Sequence, residues 1–313
     1  MHCVVTGGAG FIGSRLAETL LAEGARVTVV DNFDPYYARG LKLANLAACV
    51  ASPNFFLVEG DICDAGVFGA IPEPVDCIVH LAAKVGVRPS IADPAGYIRV
   101  NVAGLQSVLE FARAQAVPQF VFASSSSVYG VNPRTPWSED DALLPISPYA
   151  ATKAAGELLG RVYSRLYGIR FLALRLFTVY GPRQRPDLAI RKFAEAILAG
   201  RPLSMYGDGA STRDYTYVDD IVAGIRAAMD YRASPFEAIN LGNGNPIKLR
   251  DMIRSLELAL NKRALLEPCR DQAGDVPATC ADIRKAATLL GYAPKVSFDR
   301  GVARVLEWLA PHA

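Results

Sequence analysis

The first half of the chain alternates short apolar stretches with longer amphipathic ones. Short stretches rich in β-branched and aromatic residues, each followed by glycine or polar residues, predict buried strands. Strands are predicted at 2–6, 26–31, 55–61, 77–83, 119–130 and 170–182. Apolar residues at helical spacing predict helices between them, including 14–24, 96–115 and 149–168. This alternation is typical of an α/β fold, in which helices cover both faces of a parallel sheet.

After Pro182 the alternation becomes irregular, with turn residues followed by two further helical stretches. We therefore predict a doubly wound, Rossmann-type parallel sheet with a smaller, mostly helical C-terminal lobe. The lobe should lie over the C-terminal edge of the sheet, where ligands of such sheets bind. The predicted division assigns 1–177, with a return segment at about 216–243, to the sheet domain, and 178–215 with 244–313 to the lobe.

The first predicted strand runs into a glycine-rich turn, TGGAGFIG at 6–13, which opens the first helix. In a dinucleotide-binding turn, Gly7 would allow a tight turn, Gly10 would let the backbone approach a pyrophosphate, and Gly13 would let the helix pack closely. The N–H groups at the helix N-terminus would then face the phosphates. A tight strand-to-helix turn that binds no ligand is the alternative.

The ends of three further strands support the dinucleotide interpretation. Asp31 ends the second strand, where a carboxylate can bind both hydroxyls of an adenosine ribose. The same charge would repel a 2′-phosphate, which favours NAD over NADP, although a turn or capping role for Asp31 is the alternative. Asp61 and Ile62 can border the adenine, and the small residues of HLAA at 80–83 leave room for the cofactor. We therefore predict that the sheet domain binds NAD.

Composition and charge exclude several functions. The 313 residues are 51% apolar and carry 33 Lys and Arg against 31 Asp and Glu. This balance does not supply the basic face that nucleic-acid binding needs. Three dispersed histidines and six scattered cysteines indicate reduced thiols and no metal site. Neither a signal peptide nor an apolar run of about 18 residues is visible, so we expect a cytoplasmic protein without a membrane span.

Tyr149 and Lys153, in the stretch SPYAATK, lie four residues apart in a predicted helix. Such positions share one helix face, with Cβ atoms about 5–6 Å apart. A phenol is a weak base at neutral pH because its pKa is about 10, but a neighbouring ammonium favours the phenolate. From these residues alone, the pair is either an activated base or two residues on a solvated helix face.

The combined motifs resemble the extended short-chain dehydrogenase/reductase family, and within it the nucleotide-sugar epimerases. The shared motifs, in family order and spacing, are the glycine turn, Asp31, HLAA, Asn101, SSSSVYG, Tyr149-x-x-x-Lys153, RLFTVYGPRQRPD and RDYTYVDD. The resemblance implies that Tyr149 is the catalytic base and that Lys153 binds the nicotinamide ribose and lowers the pKa of Tyr149. The implied cofactor contacts are Gly7, Gly10, Phe11, Ile12, Gly13, Asp31, Asn32, Asp61, Ile62, Leu81, Ala82, Ala83, Asn101, Tyr149 and Lys153.

The serine turn separates this chain from related enzymes of other activities. The resemblance implies that one serine binds the reacting sugar hydroxyl and relays its proton, with Ser125 the first choice, Ser126 the second and Ser124 the third. Related dehydratases and decarboxylases carry carboxylic acids where this chain has Ser126 and Ser127. Without such an acid, dehydration lacks its general acid, which leaves C4 epimerisation through a 4-keto sugar and tightly bound NAD.

Several arginines favour a negatively charged sugar. Arg88 in KVGVRPS and Arg185 in GPRQRPD lie in segments that resemble those of UDP-glucuronate 4-epimerases, with Arg185 the leading candidate for the carboxylate. Thr178 can contact the same carboxylate. The resemblance also implies that Arg213 binds the nucleotide diphosphate and that Asp275 binds its ribose. Arginines on a solvated loop or in surface ion pairs are the alternative.

We therefore predict reversible conversion of UDP-glucuronate to UDP-galacturonate. A UDP-glucose or UDP-N-acetylglucosamine 4-epimerase would share every catalytic residue and is the first alternative. A net oxidoreductase on sugar nucleotides and an NAD-binding regulator without catalysis are the others. The resemblance further implies a homodimer formed through the helices at 96–115 and 149–168, although helices packed on a sheet would show the same apolar stripes.

Overall fold

A parallel sheet is the centre of this computed structural model, which describes residues 1–269 and 276–310. The strands are β1 (His2–Thr6), β2 (Arg26–Asp31), β3 (Phe55–Glu59), β4 (Cys77–His80), β5 (Gln119–Ser125), β6 (Arg170–Leu176), β7 (Thr178–Tyr180), β8 (Pro202–Tyr206), β9 (Thr212–Arg213), β10 (Tyr215–Tyr217), β11 (Phe236–Leu241), β12 (Ile247–Lys248) and β13 (Leu265–Cys269). Seven of them form one sheet in the order β11-β6-β5-β4-β1-β2-β3.

The helices are α1 (Phe11–Ala22), α2 (Arg39–Val50), α3 (Val87–Ala92), α4 (Pro94–Ile98), α5 (Leu105–Ala114), α6 (Pro148–Tyr167), α7 (Ala189–Leu198), α8 (Val218–Asp230), α9 (Leu249–Leu260), α10 (Arg284–Leu290) and α11 (Phe298–Leu309). A π-helical segment, Arg99–Gly104, joins α4 to α5, and a 3-10 turn, Ser126–Tyr129, follows β5. None of the described helices is long and apolar enough to cross a membrane.

All neighbouring strands of the seven-stranded sheet are parallel, which confirms the predicted doubly wound fold. Adjacent residues of β1 face opposite sides: Cys3 and Val5 pack with α1 and α8, whereas Val4 packs with α5. Because helices cover both faces, the central strands β1 and β4 are buried along their whole length. Each fully buried Val or Leu contributes about 1.5–3 kcal/mol.

Four predicted strands end earlier than the sequence indicated: the stretches at 55–61, 77–83, 119–130 and 170–182 end at Glu59, His80, Ser125 and Leu176. β5 ends at Ser125, whose hydroxyl accepts a hydrogen bond from Ser127 N at 3.1 Å and starts the 3-10 turn. The stretch predicted at 170–182 divides into β6, which lies in the sheet, and β7, which pairs with β10. These breaks place polar side chains at the carboxyl ends of the strands.

Residues after Phe177 contribute both to the sheet and to the structure above it. β11 pairs with β6 at one edge of the sheet. β8 and β13 form a separate parallel pair that the sequence did not indicate, because Leu265 and Leu266 are exposed and the strands are far apart in the chain. The hydrophobic cluster on the α1 face continues into α7, α9 and α11.

Candidate active site

A cavity of about 490 Å³ opens at the carboxyl ends of β1, β2, β4, β5 and β6. β4 and β1 are neighbours although β2 and β3 lie between them in the chain, so the strand order reverses direction beside the cavity. Open α/β sheets bind ligands at such a reversal. The predicted residues that line the cavity are Gly7, Gly10, Phe11, Ile12, Gly13, Asp31, Asn32, Asp61, Ile62, Leu81, Ala82, Ala83, Ser124, Ser125, Ser126, Tyr149, Lys153, Thr178 and Arg185.

The glycine turn after β1 has no space for side chains at its first and third glycines. Gly7 has φ +69°, a conformation that favours glycine, and a Cβ there would lie 2.7 Å from Ala82 N. A Cβ at Gly13 would lie 2.6 Å from Gly7 O, so this glycine lets α1 start directly against the turn. Because Gly10 precedes α1 and has no side chain to cap it, the N–H groups of the first helical turn face the cavity.

Asp31 lies at the end of β2 with 7% of its surface exposed. One carboxylate oxygen accepts a hydrogen bond from Ala9 N at 3.1 Å, and the other accepts one from Phe33 N at 2.8 Å. Lys42 of α2 brings its Nζ to 3.6 Å from Asp31 Oδ1 and also lines the cavity. Sequence reasoning missed Lys42, because α2 gives no motif that marks its partner on β2.

Helix α6 orients Tyr149 and Lys153 towards the cavity. Ser147 caps the helix by accepting a hydrogen bond from Ala150 N at 3.1 Å, and Pro148 occupies the first helical position. Lys153 is 3% exposed, and its Nζ lies 6.0 Å from the centre of the Tyr149 ring. That Nζ donates a hydrogen bond to Ala123 O at 2.7 Å, which ties α6 to the end of β5.

Burial dominates the protonation of both side chains. It lowers the pKa of Lys153 to about 7, because a buried ammonium loses hydration. Burial also raises the pKa of Tyr149 above its ordinary value, against the lowering effects of a hydrogen bond from Ser125 and of the Arg185 charge. The protein groups alone therefore do not produce the lowered pKa of Tyr149 that the resemblance implied.

The first three serines of the turn have different surroundings. Ser124 also lines the cavity, but its hydroxyl donates to Glu157 Oε1 at 2.5 Å. Ser125 and Ser126 line the cavity together with Tyr149, and Ser125 acts to lower the pKa of Tyr149. The structure thus brings the first-choice serine together with Tyr149.

The arginines predicted to bind substrate lie in different places. Arg185 lines the cavity, and its Nε and Nη2 donate to the two oxygens of Asp187 at 2.9 Å each. Arg88 is exposed, with its guanidinium 5.1 Å from the centre of the Tyr206 ring. Arg213 donates from Nη1 to Thr212 O at 2.9 Å. Within the described part of the chain, the cavity wall does not include Arg88 or Arg213.

Asn101 is not among the described residues that line the cavity. Asn101 is 3% exposed, and its amide exchanges hydrogen bonds with the backbone of Lys84 at 2.8 and 2.9 Å. Asn101 therefore holds the backbone of Lys84 in place, and Lys84 itself lines the cavity. Direct contact between Asn101 and a cofactor stays a prediction. Asp275 lies outside the described residues.

Aromatic side chains that sequence reasoning missed also enclose the site. Tyr97 of α4 lies edge-on to Tyr149, with ring centres 6.3 Å apart, and donates its hydroxyl to Val85 O at 2.6 Å. Tyr36 donates to Asp187 Oδ2 at 3.3 Å across the mouth of the cavity. Sequence reasoning also missed Lys84, which lines the cavity. Its position directly after HLAA, at the end of a predicted strand, could have indicated it. Among residues 1–269 and 276–310, no cluster of His, Cys, Asp and Glu is placed to hold a metal ion.

Comparisons with known proteins agree with this geometry. Residues 4–305 match the family described as GDP-mannose 4,6 dehydratase. The chain is 41% identical to UDP-glucuronate 4-epimerase of Thermodesulfobacterium geofontis, over 98% of this chain and 95% of the relative. It is 38% identical to a probable UDP-glucuronate 4-epimerase of Rhizobium meliloti, over 98% and 96% of the two chains.

A solved structure extends the similarity to three dimensions. The crystal structure of UDP-glucuronic acid 4-epimerase from Bacillus cereus, in complex with UDP-glucuronic acid and NAD, superposes with a TM-score of 0.94. The two chains are 36% identical, and the match covers 100% of each. The similarity therefore includes both the sheet and the structure above the cavity.

Proposed function

The chain belongs to the GDP-mannose 4,6-dehydratase family of short-chain dehydrogenases/reductases, and we propose that it is a UDP-glucuronate 4-epimerase. It would invert C4 of UDP-glucuronate reversibly to give UDP-galacturonate, with NAD as a tightly bound cofactor. One observation carries the proposal: a single cavity contains the glycine turn, the Ser125–Tyr149–Lys153 group, and Thr178 with Arg185. The relatives of similar length, and the neighbour crystallised with UDP-glucuronic acid and NAD, support the substrate.

The residues around the glycine turn fit NAD. A side chain at Gly7 or Gly13 would collide with neighbouring backbone, so the turn keeps its surface open for a pyrophosphate. Asp31 would bind the adenosine ribose, with Asp61 and Ile62 at the adenine. When bound, NAD supplies the acceptor and the donor of the C4 hydride. The protein holds the sugar in place and moves the proton.

Tyr149 would accept the proton of the C4 hydroxyl, directly or through Ser125, and return it after the sugar has turned over. A hydrogen bond from Ser125 and the charge of Arg185 both favour the phenolate. Lys153 adds a cation 6.0 Å from the Tyr149 ring whenever it is protonated. A positively charged nicotinamide ring would lower the pKa of Tyr149 further, which offsets the opposite effect of burial.

Thr178 and Arg185 would bind the sugar carboxylate. Arg185 donates two hydrogen bonds to the carboxylate of Asp187, and the sugar carboxylate would bind the same fork in place of Asp187. The serine turn carries hydroxyls where related dehydratases carry carboxylic acids, so elimination lacks its acid. Arg213, Arg88 and Asp275 remain proposed contacts of the nucleotide and the sugar.

We also propose the division, assembly and location predicted above. Pairing of β11 with β6 supports the assignment of 216–243 to the NAD-binding domain with 1–177, and of 178–215 with 244–313 to the substrate lobe.

Leu158, Val162 and Leu166 form an exposed apolar stripe on α6, which supports a homodimer through this helix. The six cysteines are unpaired, which supports the cytoplasm.

Purified protein should be assayed in parallel with UDP-glucuronate, UDP-glucose and UDP-N-acetylglucosamine, and its bound nicotinamide should be measured after denaturation. We expect bound NAD and interconversion of UDP-glucuronate and UDP-galacturonate without added cofactor. Faster turnover of either neutral sugar would replace the proposed substrate. Net accumulation of NADH would indicate an oxidoreductase, and bound NAD without turnover of any sugar would favour a regulator.

A further inference from the structure

A buried carboxylate follows the proposed catalytic pair along α6. Glu157 lies one turn beyond Lys153 and two turns beyond Tyr149, so the three side chains share a helix face. Glu157 is 5% exposed. Its Oε1 accepts hydrogen bonds from Ser124 Oγ at 2.5 Å and from Arg175 Nε at 3.0 Å, and its Oε2 accepts one from Arg175 Nη2 at 2.8 Å.

The two partners of Glu157 are neighbours in the sheet. Ser124 of β5 and Arg175 of β6 lie opposite each other in the parallel register, directly before the pair formed by Ser125 and Leu176. The Glu157 carboxylate therefore joins α6 to both strands at the last position before Ser125. Lys153 makes a second junction of the same kind through Ala123 O.

Arg175 extends the contact to the far end of the serine turn. It is 4% exposed, and its Nη1 donates to the hydroxyl of Tyr129 at 2.9 Å and to Glu139 O at 3.2 Å. The Tyr129 hydroxyl donates in turn to Asn240 Oδ1 of β11 at 2.6 Å. The turn Ser126–Tyr129 is thus held at its start by β5 and at its end by Arg175.

The proposed chemistry does not use this ion pair directly. Within the described residues, neither Glu157 nor Arg175 lines the cavity. Burying two charges is costly, and apolar residues of similar volume often stabilise a core equally well. A geometric role accounts for a buried pair at this position, because catalysis is sensitive to displacements of about 1 Å.

We propose that Glu157 and Arg175 are positioning residues that keep Ser125 within hydrogen-bonding reach of Tyr149. This inference rests on the proposed function. The same contacts give Ser124 a structural role, because its hydroxyl is committed to Glu157, whereas Ser125 and Ser126 line the cavity without a bond to Glu157.

The test is the double variant Glu157→Gln with Arg175→Met, which removes both charges and preserves approximate volume. We expect it to fold, to retain bound NAD and to keep the KM for UDP-glucuronate within about 3-fold, while kcat falls about 10²-fold. Its crystal structure should show Ser125 displaced from Tyr149 by about 1 Å. A kcat equal to that of the wild type, in a folded double variant, would overturn the proposal.

Ser164→Ala provides a matched control on the same helix. Ser164 is 5% exposed and donates its hydroxyl to Pro235 O at 2.7 Å, far from the cavity. Ser164→Ala should lower the free energy of unfolding and leave kcat unchanged. The comparison therefore distinguishes the effect of lost packing on α6 from the effect of a displaced Ser125. An equal drop of kcat in Ser164→Ala and in the double variant would contradict a positioning role.

Two further results keep the proposal distinct from its premise. If the wild-type protein turns over no nucleotide sugar, the proposed function fails. Independently of that result, a double-variant crystal structure in which Ser125 has not moved relative to Tyr149 would reject the positioning role. If the double variant does not fold, Tyr129→Phe removes one hydroxyl from the network. A smaller fall of kcat at constant KM would then support the proposal, and an unchanged kcat would reject it.

Discussion

Asp31 and Lys42 form an ion pair inside the cavity, with Lys42 Nζ 3.6 Å from Asp31 Oδ1. Each residue is 7% exposed, so solvent screens their charges weakly. The carboxylate that would bind the adenosine ribose is therefore partly neutralised by a cation that lines the same cavity. Discrimination between NAD and NADP thus depends on the balance of two charges, and Asp31 alone does not decide it.

Asp31→Asn should weaken this discrimination. The substitution leaves the Lys42 charge unopposed, so affinity for NADP relative to NAD should rise by about 10-fold or more, as expected when a unit charge near a phosphate is removed. Equilibrium titration of cofactor-free protein with both nucleotides measures the ratio. Lys42→Gln should shift the ratio in the opposite direction. An unchanged ratio in Asp31→Asn would exclude Asp31 as the residue that selects the cofactor.

Tyr149→Phe should abolish most turnover while NAD stays bound. Loss of a positioned acid–base group reduces kcat by about 10²–10⁴-fold, and the phenyl ring preserves the packing. Tyr163→Phe is the control, because Tyr163 lies further along α6 and its hydroxyl bonds to Glu110 instead of facing the cavity. Turnover of Tyr149→Phe close to that of the wild type would reject Tyr149 as the base.

Arg185→Gln should affect the charged substrate specifically. If Arg185 binds the sugar carboxylate, the KM for UDP-glucuronate should rise about 10-fold or more, which corresponds to loss of one charge-assisted hydrogen bond of about 1.5–3 kcal/mol. The KM for UDP-glucose, where measurable, should change little. Arg88→Gln is the comparison, because Arg88 is exposed and lies over Tyr206. A larger effect at Arg88 would reverse the assignment of the two arginines.

Thr178→Val should change the product mixture. The 4-keto form of a uronic acid is a β-keto acid that can lose CO₂, so the enzyme has to hold the carboxylate where cleavage is disfavoured. Thr178 lines the cavity at the start of β7. Removing its hydroxyl should increase the fraction of decarboxylated pentose product, as measured by chromatography of the reaction mixture. An unchanged product ratio would count against this role.

His80 should make the protein less stable as the solution becomes acidic. Burial lowers the pKa of His80 to about 3, with the Lys153 charge acting in the same direction, whereas an unfolded histidine titrates near about 6.5. Between these values the unfolded state binds more protons than the folded state. The free energy of unfolding should therefore fall as pH decreases through this window, by at most about 1.4 kcal/mol per pH unit from His80.

His80→Gln tests this dependence, because glutamine can replace the hydrogen bond between His80 Nδ1 and Thr6 Oγ1 at 2.8 Å but does not titrate. Urea unfolding at several pH values gives the difference between wild type and variant, in which shared carboxylate effects cancel. The slope against pH should be smaller for the variant. Equal slopes would show that His80 is not the group responsible.

Local features of this protein could be predicted from its sequence because each depends on residues close together in the chain. The bounds of β1 and β2 coincide with the predicted 2–6 and 26–31, since each strand is a single apolar run that ends at a turn. The shared helix face of Tyr149 and Lys153 follows from helical geometry alone. The position of Gly7 follows from the turn that β1 must make to enter α1.

Only the tertiary structure decided which polar groups meet each other. Ser124 and Ser125 are neighbours in one polar stretch of the sequence, and only the folded chain brings the Ser124 hydroxyl to Glu157, 33 residues later. Likewise, Lys42 reaches Asp31 only because α2 packs against α1 and against β3, the strand that pairs with β2. A periodic pattern reports which face of an element is buried, whereas hydrogen-bond partners depend on elements that are distant in the chain.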